Sequence, residues 1–204
     1  MKQGELKRQY FIAAFPPEHA TDNIKDLVKK GPSQWEWKTP DDYHISFAFP
    51  GRLTDAQVEK LISALKEIEH ESFALSFEGL SFHLKDPAKR QSRNNVLWAR
   101  PDSQGDNELR DLIHKVVEKL TKKKFRHGVH NISPHLTVAR PPPEAGDLTK
   151  AFAKAHGKID EKLWKLDRFY LCETLSRDDP DHPVNNDGQG SRYKKIAEFR
   201  LQPS

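Results

Sequence analysis

One pattern occurs twice in this chain of 204 residues: His44-Ile45-Ser46-Phe47 and His135-Leu136-Thr137-Val138, each histidine, apolar, hydroxyl, apolar. Alternation at period two is a strand pattern, in which residues i and i+2 share a face. Each copy therefore predicts a strand that buries its apolar side chains and turns an imidazole and a hydroxyl, side by side, to the other face. A lone histidine there is as readily a hydrogen-bonded surface residue. With ten histidines in the chain, chance supplies roughly 0.1 such tetrapeptides at this composition. Two copies, each ahead of a proline-marked strand end (Pro50-Gly51 and Pro141-Pro142-Pro143), predict a duplicated lobe.

Around these motifs the chain reads as mixed strands and helices. Tyr10 to Phe15 is an apolar strand closed by Pro16-Pro17, and Pro17 opens a helix to Lys30 with Ile24, Leu27 and Val28 as its stripe. Trp35 and Trp37 alternate as in a short strand, and Tyr43 to Phe49 is a strand stopped by Pro50-Gly51. Thr54-Asp55-Ala56-Gln57 is a capping box for a helix carrying Val58, Leu61, Ile62, Leu65 and Ile68. Strands follow at 73–77, 80–84 and 96–99, with 86–95 a polar, basic loop, and Gly105 to Leu120 is helical. Ile132 to Arg140 and Leu163 to Thr174 are strands flanking a weak helix, Glu144 to His156. A long Asp-, Asn- and Gly-rich loop, 178–190, precedes the closing strand from Tyr193 to Leu201. There is no regular βαβ alternation and no separating linker, so we expect residues 1–204 to form one α+β domain with two lobes.

Composition narrows the function classes. The formal charge of +4 suits a polyanionic partner, although an ordinary basic protein carries the same charge. The N-terminus lacks the apolar run of a signal peptide, and no stretch approaches membrane-spanning length; a soluble cytoplasmic protein is expected. Cys172 is the sole cysteine, so no internal disulfide or CxxC knuckle exists, and its apolar surroundings predict a buried small hydrophobe. His127, His130 and His135 are loosely spaced, but no standard metal spacing completes a site, and phosphate-loop, dinucleotide and nucleophile-elbow motifs are absent. The other histidines show no patterned partner and read as surface or packing residues.

The chain resembles the 2H phosphoesterase superfamily, and within it the RNA 2′,3′-cyclic phosphodiesterases, also called 2′-5′ RNA ligases. Residues 10–17, the run His44 to Gly51, the run Pro134 to Arg140, and Arg192-Tyr193 carry the resemblance, which spans nearly the whole chain. Ser46 stands where the family more often has threonine, keeping the hydroxyl, and Pro50 where an aliphatic residue is usual. The resemblance implies a bilobal α+β fold, two pseudo-symmetric antiparallel-rich sheets flanking a central cleft with helices outside, each lobe giving one motif.

It also implies a chemistry that these residues can perform. Opening a cyclic phosphate needs a base for water and an acid for the departing ribose oxygen; imidazoles titrate near neutrality and can hold both states at once. By resemblance His44 is the proton donor to the leaving 3′ oxygen and His135 the base, while the residues alone leave the two roles interchangeable. Ser46 and Thr137 can donate hydrogen bonds to the phosphoryl oxygens. No metal or other cofactor is required. The expected partner is RNA with a 2′,3′-cyclic phosphate end, or a small cyclic nucleotide, met by a monomer; the product is a 2′-phosphate, and the reverse reaction joins a 5′-hydroxyl through a 2′-5′ link. A phosphodiesterase of 2′-5′ oligoadenylate and a non-catalytic RNA-binding module are the alternatives. Arg140 is a candidate substrate contact, although strict alternation places it opposite His135 and Thr137. The same parity assigns Phe47 and Phe49 to the core. Trp35, Trp37 and Tyr43 read as packing residues able to stack on a base, and Lys122-Lys123-Lys124 with Arg126 and His127 as a basic face able to attract RNA.

Overall fold

The computed structural model describes residues 7–84, 95–159, 162–180, 182 and 191–204. Its elements in chain order are β1 (Arg8–Ala14), α1 (Asp22–Lys30), β2 (Glu36–Trp37), β3 (Ile45–Leu53), α2 (Asp55–Leu65), β4 (Phe73–Leu75), β5 (Phe77–His83), β6 (Val96–Pro101), α3 (Ser103–Lys122), β7 (Leu136–Arg140), α4 (Gly146–Ala155), β8 (Trp164–Leu166), β9 (Arg168–Thr174) and β10 (Tyr193–Arg200). Antiparallel strands and helices make this an α+β fold. The main sheet runs β10-β9-β1-β3-β7-β6-β5, with β2 also paired to β7. β4 and β8 form a separate ladder.

The middle of the main sheet is thin. β3 and β7 meet at one pair, Ile45 opposite Leu136. On one side lie β10, β9, β1 and β3; on the other lie β7, β6, β5 and β2. The two expected pseudo-symmetric sheets are thus two arms of one strand path, each carrying one motif at the seam.

Period-two alternation in β1 sends its side chains two ways. Tyr10, Ile12 and Ala14 enter the main core, while Phe11 and Ala13 join Cys172 in a smaller cluster. α3 covers the main core with Leu109, Leu112, Ile113, Val116 and Leu120, all buried at helical spacing, and packs on β3, β4 and β6. Its start is set by Asp102, whose carboxylate accepts the Gly105 N–H at 2.9 Å. The Thr54 capping box of α2 forms as expected: Thr54 Oγ1 accepts the Gln57 N–H at 3.4 Å, and Gln57 Oε1 accepts the Thr54 N–H at 3.0 Å.

Several boundaries differ from the sequence reading. The helix expected from Pro17 opens with a tighter turn over Glu18–Thr21. β3 passes through Pro50 and Gly51 to Leu53, because a register shift against β1 accommodates the proline and Gly51 takes φ +89°. The strand expected from Ile132 begins only at Leu136. The run 163–174 divides at Asp167 into β8 and β9, which belong to different ladders. The strand break expected at Gly79 falls instead at Ser76, whose N–H and hydroxyl bind the Asp102 carboxylate. Most of the expected loops 86–95 and 178–190 lie outside the described residues. Among the described residues, no helix is long and apolar enough to cross a membrane.

Candidate active site

The single seam pair fixes the site. In an antiparallel ladder the neighbours of one paired residue face the neighbours of the other. With Ile45 opposite Leu136, this register brings His44 beside Thr137 and Ser46 beside His135. A half-turn about the seam pair exchanges the two histidines and the two hydroxyls. Ile45 and Leu136 are fully buried on one face, and the four polar residues line one pocket of about 330 Å³ on the other. Diagonal neighbours in a regular ladder lie about 7–8 Å apart, somewhat less at Cβ, a spacing that admits a tetrahedral anion between two rings.

Both imidazoles are anchored by the same device. His44 Nδ1 lies 2.7 Å from the Asp42 carbonyl, and His135 Nδ1 lies 2.7 Å from the Ser133 carbonyl. A carbonyl only accepts, so each Nδ1 carries a proton and donates it. In the neutral ring Nε2 is then the free base, and in the charged ring it is an acid. Residue types give no signal for this arrangement, because the acceptors are backbone atoms. His44 is further held by rings: Tyr193 meets it edge-on with centroids 4.9 Å apart, and Phe11 and Phe15 lie at 5.2 and 5.7 Å. Burial pushes the His44 pKa down, against the hydrogen bond to Asp42 that favours the charged ring. Among the described residues, the ring neighbour of His135 is Trp98, at 5.6 Å.

Arg140 also lines the pocket, despite its parity. Against β6, Ala139 pairs with Leu97 but Thr137 pairs with Trp98, so β7 carries one extra residue at Val138. This bulge reverses the alternation and returns Arg140 to the face of Thr137. Similar register shifts in β3 overturn the expectation for Phe49. Phe47 is 1% exposed, as expected, whereas Phe49 is 46% exposed and lines the pocket. Phe49 and Arg140 both stand three residues after their motif hydroxyl.

Sequence reasoning missed Lys38 and Asp42. Both line the pocket, and neither belongs to the repeated pattern. Burial lowers the Lys38 pKa even though its Nζ sits 2.5 Å from Glu36 Oε1. Asp42 is 6% exposed. Its carboxylate accepts the Arg192 N–H at 3.0 Å and Nε–H at 2.7 Å, and the Ser191 hydroxyl at 3.3 Å. Burial opposes the Arg192 charge, but Asp42 outweighs it and the guanidinium pKa rises. Arg192-Tyr193 therefore grips both Asp42 and His44.

Other expected residues lie elsewhere. Trp35 and Trp37 stack on each other at 5.5 Å and meet Phe152, and Tyr43 is buried; all three pack in or against the main core. Lys122 pairs with Glu118 and Lys123 with Glu67. Burial pushes the Cys172 pKa up to about 12, so its thiol stays protonated. Among the described residues, no three of His, Cys, Asp and Glu cluster as metal ligands.

The family model of the 2′-5′ RNA ligase superfamily matches residues 15–178. This chain belongs to that superfamily. Among curated superfamily relatives, an Archaeoglobus fulgidus protein named RNA 2′,3′-cyclic phosphodiesterase is 26% identical over 167 residues, covering 79% of this chain and 90% of its own length. Proteins of the same name from Aquifex aeolicus and Bacillus subtilis are 32% identical over 109 residues and 27% over 138 residues, covering 52% and 67% of this chain and 54% and 73% of their own lengths. Crystal structures of Escherichia coli LigT, in apo form and complexed with 3′-AMP, each share the fold at TM-score 0.67 with 17% and 18% identity. They cover 98% and 97% of this chain, and 99% of the LigT chain in each case.

Proposed function

We propose that this superfamily member hydrolyses 2′,3′-cyclic phosphate ends of RNA to 2′-phosphates, with residues 1–204 acting as one bilobal unit. The observation that carries the reading is the pairing of two imidazole–hydroxyl pairs across Ile45 and Leu136 in one pocket. The names of the three curated relatives supply the substrate class.

In this reading His135 Nε2 takes a proton from water as the water oxygen bonds to phosphorus. The bond from phosphorus to the 3′ oxygen breaks, and His44 Nε2 gives its proton to that oxygen. The 2′ ester remains, the two rings end with exchanged protonation states, and solvent resets them. Ser46 and Thr137 donate hydrogen bonds to the phosphoryl oxygens, where charge builds in the transition state. Arg140 adds a fixed positive charge at the same pocket. A 5′-hydroxyl in the place of water gives a 2′-5′ link by the same proton transfers. Each step uses only side chains of this chain, so no metal enters.

The test is product analysis on an oligonucleotide with a cyclic phosphate end, with chelator present. A 2′-phosphate product formed at an unchanged rate is expected. A 3′-phosphate product, or activity abolished by chelator and restored by a divalent metal, overturns the mechanism.

A further inference from the structure

We propose that the loop from Lys124 to His130 forms a second phosphate subsite, holding the phosphodiester next to the reacting end and so selecting RNA chains over cyclic mononucleotides. This inference rests on the function proposed above and specifies its substrate. A further concavity of about 410 Å³ is lined by Thr121, Lys124, Phe125, Arg126, His127 and residues 128–130. Gly128, Val129 and His130 line both it and the catalytic pocket, so the two spaces adjoin at this loop.

The loop is built rather than draped. The Phe49 N–H donates to the His127 carbonyl at 2.7 Å, tying the loop to β3 beside Ser46. His127 Nδ1 accepts the Val129 N–H at 3.2 Å, which leaves its Nε2–H as a donor in the neutral ring. Gly128 takes φ +62°, and a Cβ there would lie 3.0 Å from that of Phe49.

Charge is placed where a chain would pass. In the basic run Lys122 and Lys123 are paired with glutamates, whereas Lys124 and Arg126 form no ion pair among the described residues. A further concavity, which shares Tyr193 with the catalytic pocket, carries Asp41 and a lysine, Lys195, already held 4.4 and 4.6 Å over the rings of Phe15 and Tyr170. A polyanion leaving the catalytic pocket is therefore drawn toward Lys124 and Arg126.

Lys124 supplies a second observation. It closes α3 at φ +60°, and among the described residues it is the one non-glycine at positive φ. Glycine is the relaxed residue at such a helix end. Lysine at this φ carries backbone strain that glycine would relieve, so the cation is held at a cost to the backbone.

The experiment compares a single-stranded oligonucleotide bearing a cyclic phosphate end with 2′,3′-cyclic AMP, using the parent, Lys124→Gly, Arg126→Ser and the double variant, with Lys122→Gln as a charge control. KM for the oligonucleotide should rise by about tenfold or more in the double variant, since one hydrogen bond to a charged group is worth that much. The slope of log KM against log salt should fall by about 0.7 for each phosphate that the variant no longer neutralises. The values for 2′,3′-cyclic AMP should stay unchanged, and Lys124→Gly should melt at a higher temperature than the parent. Equal effects on both substrates, no effect on either, or a matching rise of KM in Lys122→Gln overturns the subsite. Fluorescence anisotropy of the same labelled RNA is read in parallel. A parent that turns over neither substrate refutes the proposed function, while anisotropy still decides whether Lys124 and Arg126 bind the chain.

Discussion

Burial and anchoring pull the His44 imidazole in opposite directions, and burial prevails. Two consequences follow. A histidine whose folded pKa lies below its unfolded value contributes stability fully above the ordinary value of about 6.5, and that share is lost as pH falls below it. Unfolding free energy should therefore decline more steeply on acidification in the parent than in His44→Gln, measured by urea melts between pH 7 and 5. In catalysis His44 must be protonated to donate, so the rate falls as pH rises through its pKa. The basic limb of kcat/KM, which reports the free enzyme, should lie below the basic limb of kcat, because a bound phosphate anion raises the pKa. Identical limbs would remove His44 from the donor role. Replacing either His44 or His135 by Ala should lower kcat by about 10² to 10⁴, the usual worth of one acid–base group, with the melting temperature little changed.

The elements that hold His44 come from both ends of the chain. β10 delivers Arg192 and Tyr193 to the turn before β3, where Asp42 is buried and ion-paired. Arg192→Ala leaves that carboxylate without its main partner and should cost about 2–3 kcal/mol, while also loosening the carbonyl that orients His44. Denaturant melts read the first effect, and a drop in kcat larger than the change in KM reads the second. Thr54→Ala should cost about 1 kcal/mol by removing the α2 capping box. The motif strands and the α2 cap were legible in the sequence because alternation and capping are local rules. The bulges that turn out Phe49 and Arg140 were not, because an extra residue shows only against a paired strand. The split of 163–174 was hidden for the same reason: an apolar run does not say which ladder each half joins. Lys38 and Asp42 gave no signal, since single charged residues outside a repeat look like surface.

At the scale of the whole molecule, two arms of sheet meet at one residue pair, and the catalytic proposal stands on that junction. Ile45 and Leu136 are fully buried. Truncating either to Ala should cost about 2–5 kcal/mol and, by loosening the register, reduce turnover in the variant that remains folded. Ile45→Val should cost about 0.5–1.5 kcal/mol and leave turnover near the parent value. The duplicated motif made the two-lobed plan readable from sequence, but the seam itself needed the paired register. The most direct test is a titration of the protein with inorganic phosphate, following the ring nitrogens of His44 and His135 by ¹⁵N NMR. Both Nε2 signals should move together with one dissociation constant, and Ser46→Ala or Thr137→Ala should weaken both responses. Response of one ring alone, or two rings that titrate with separate constants, would contradict a single phosphate held between them.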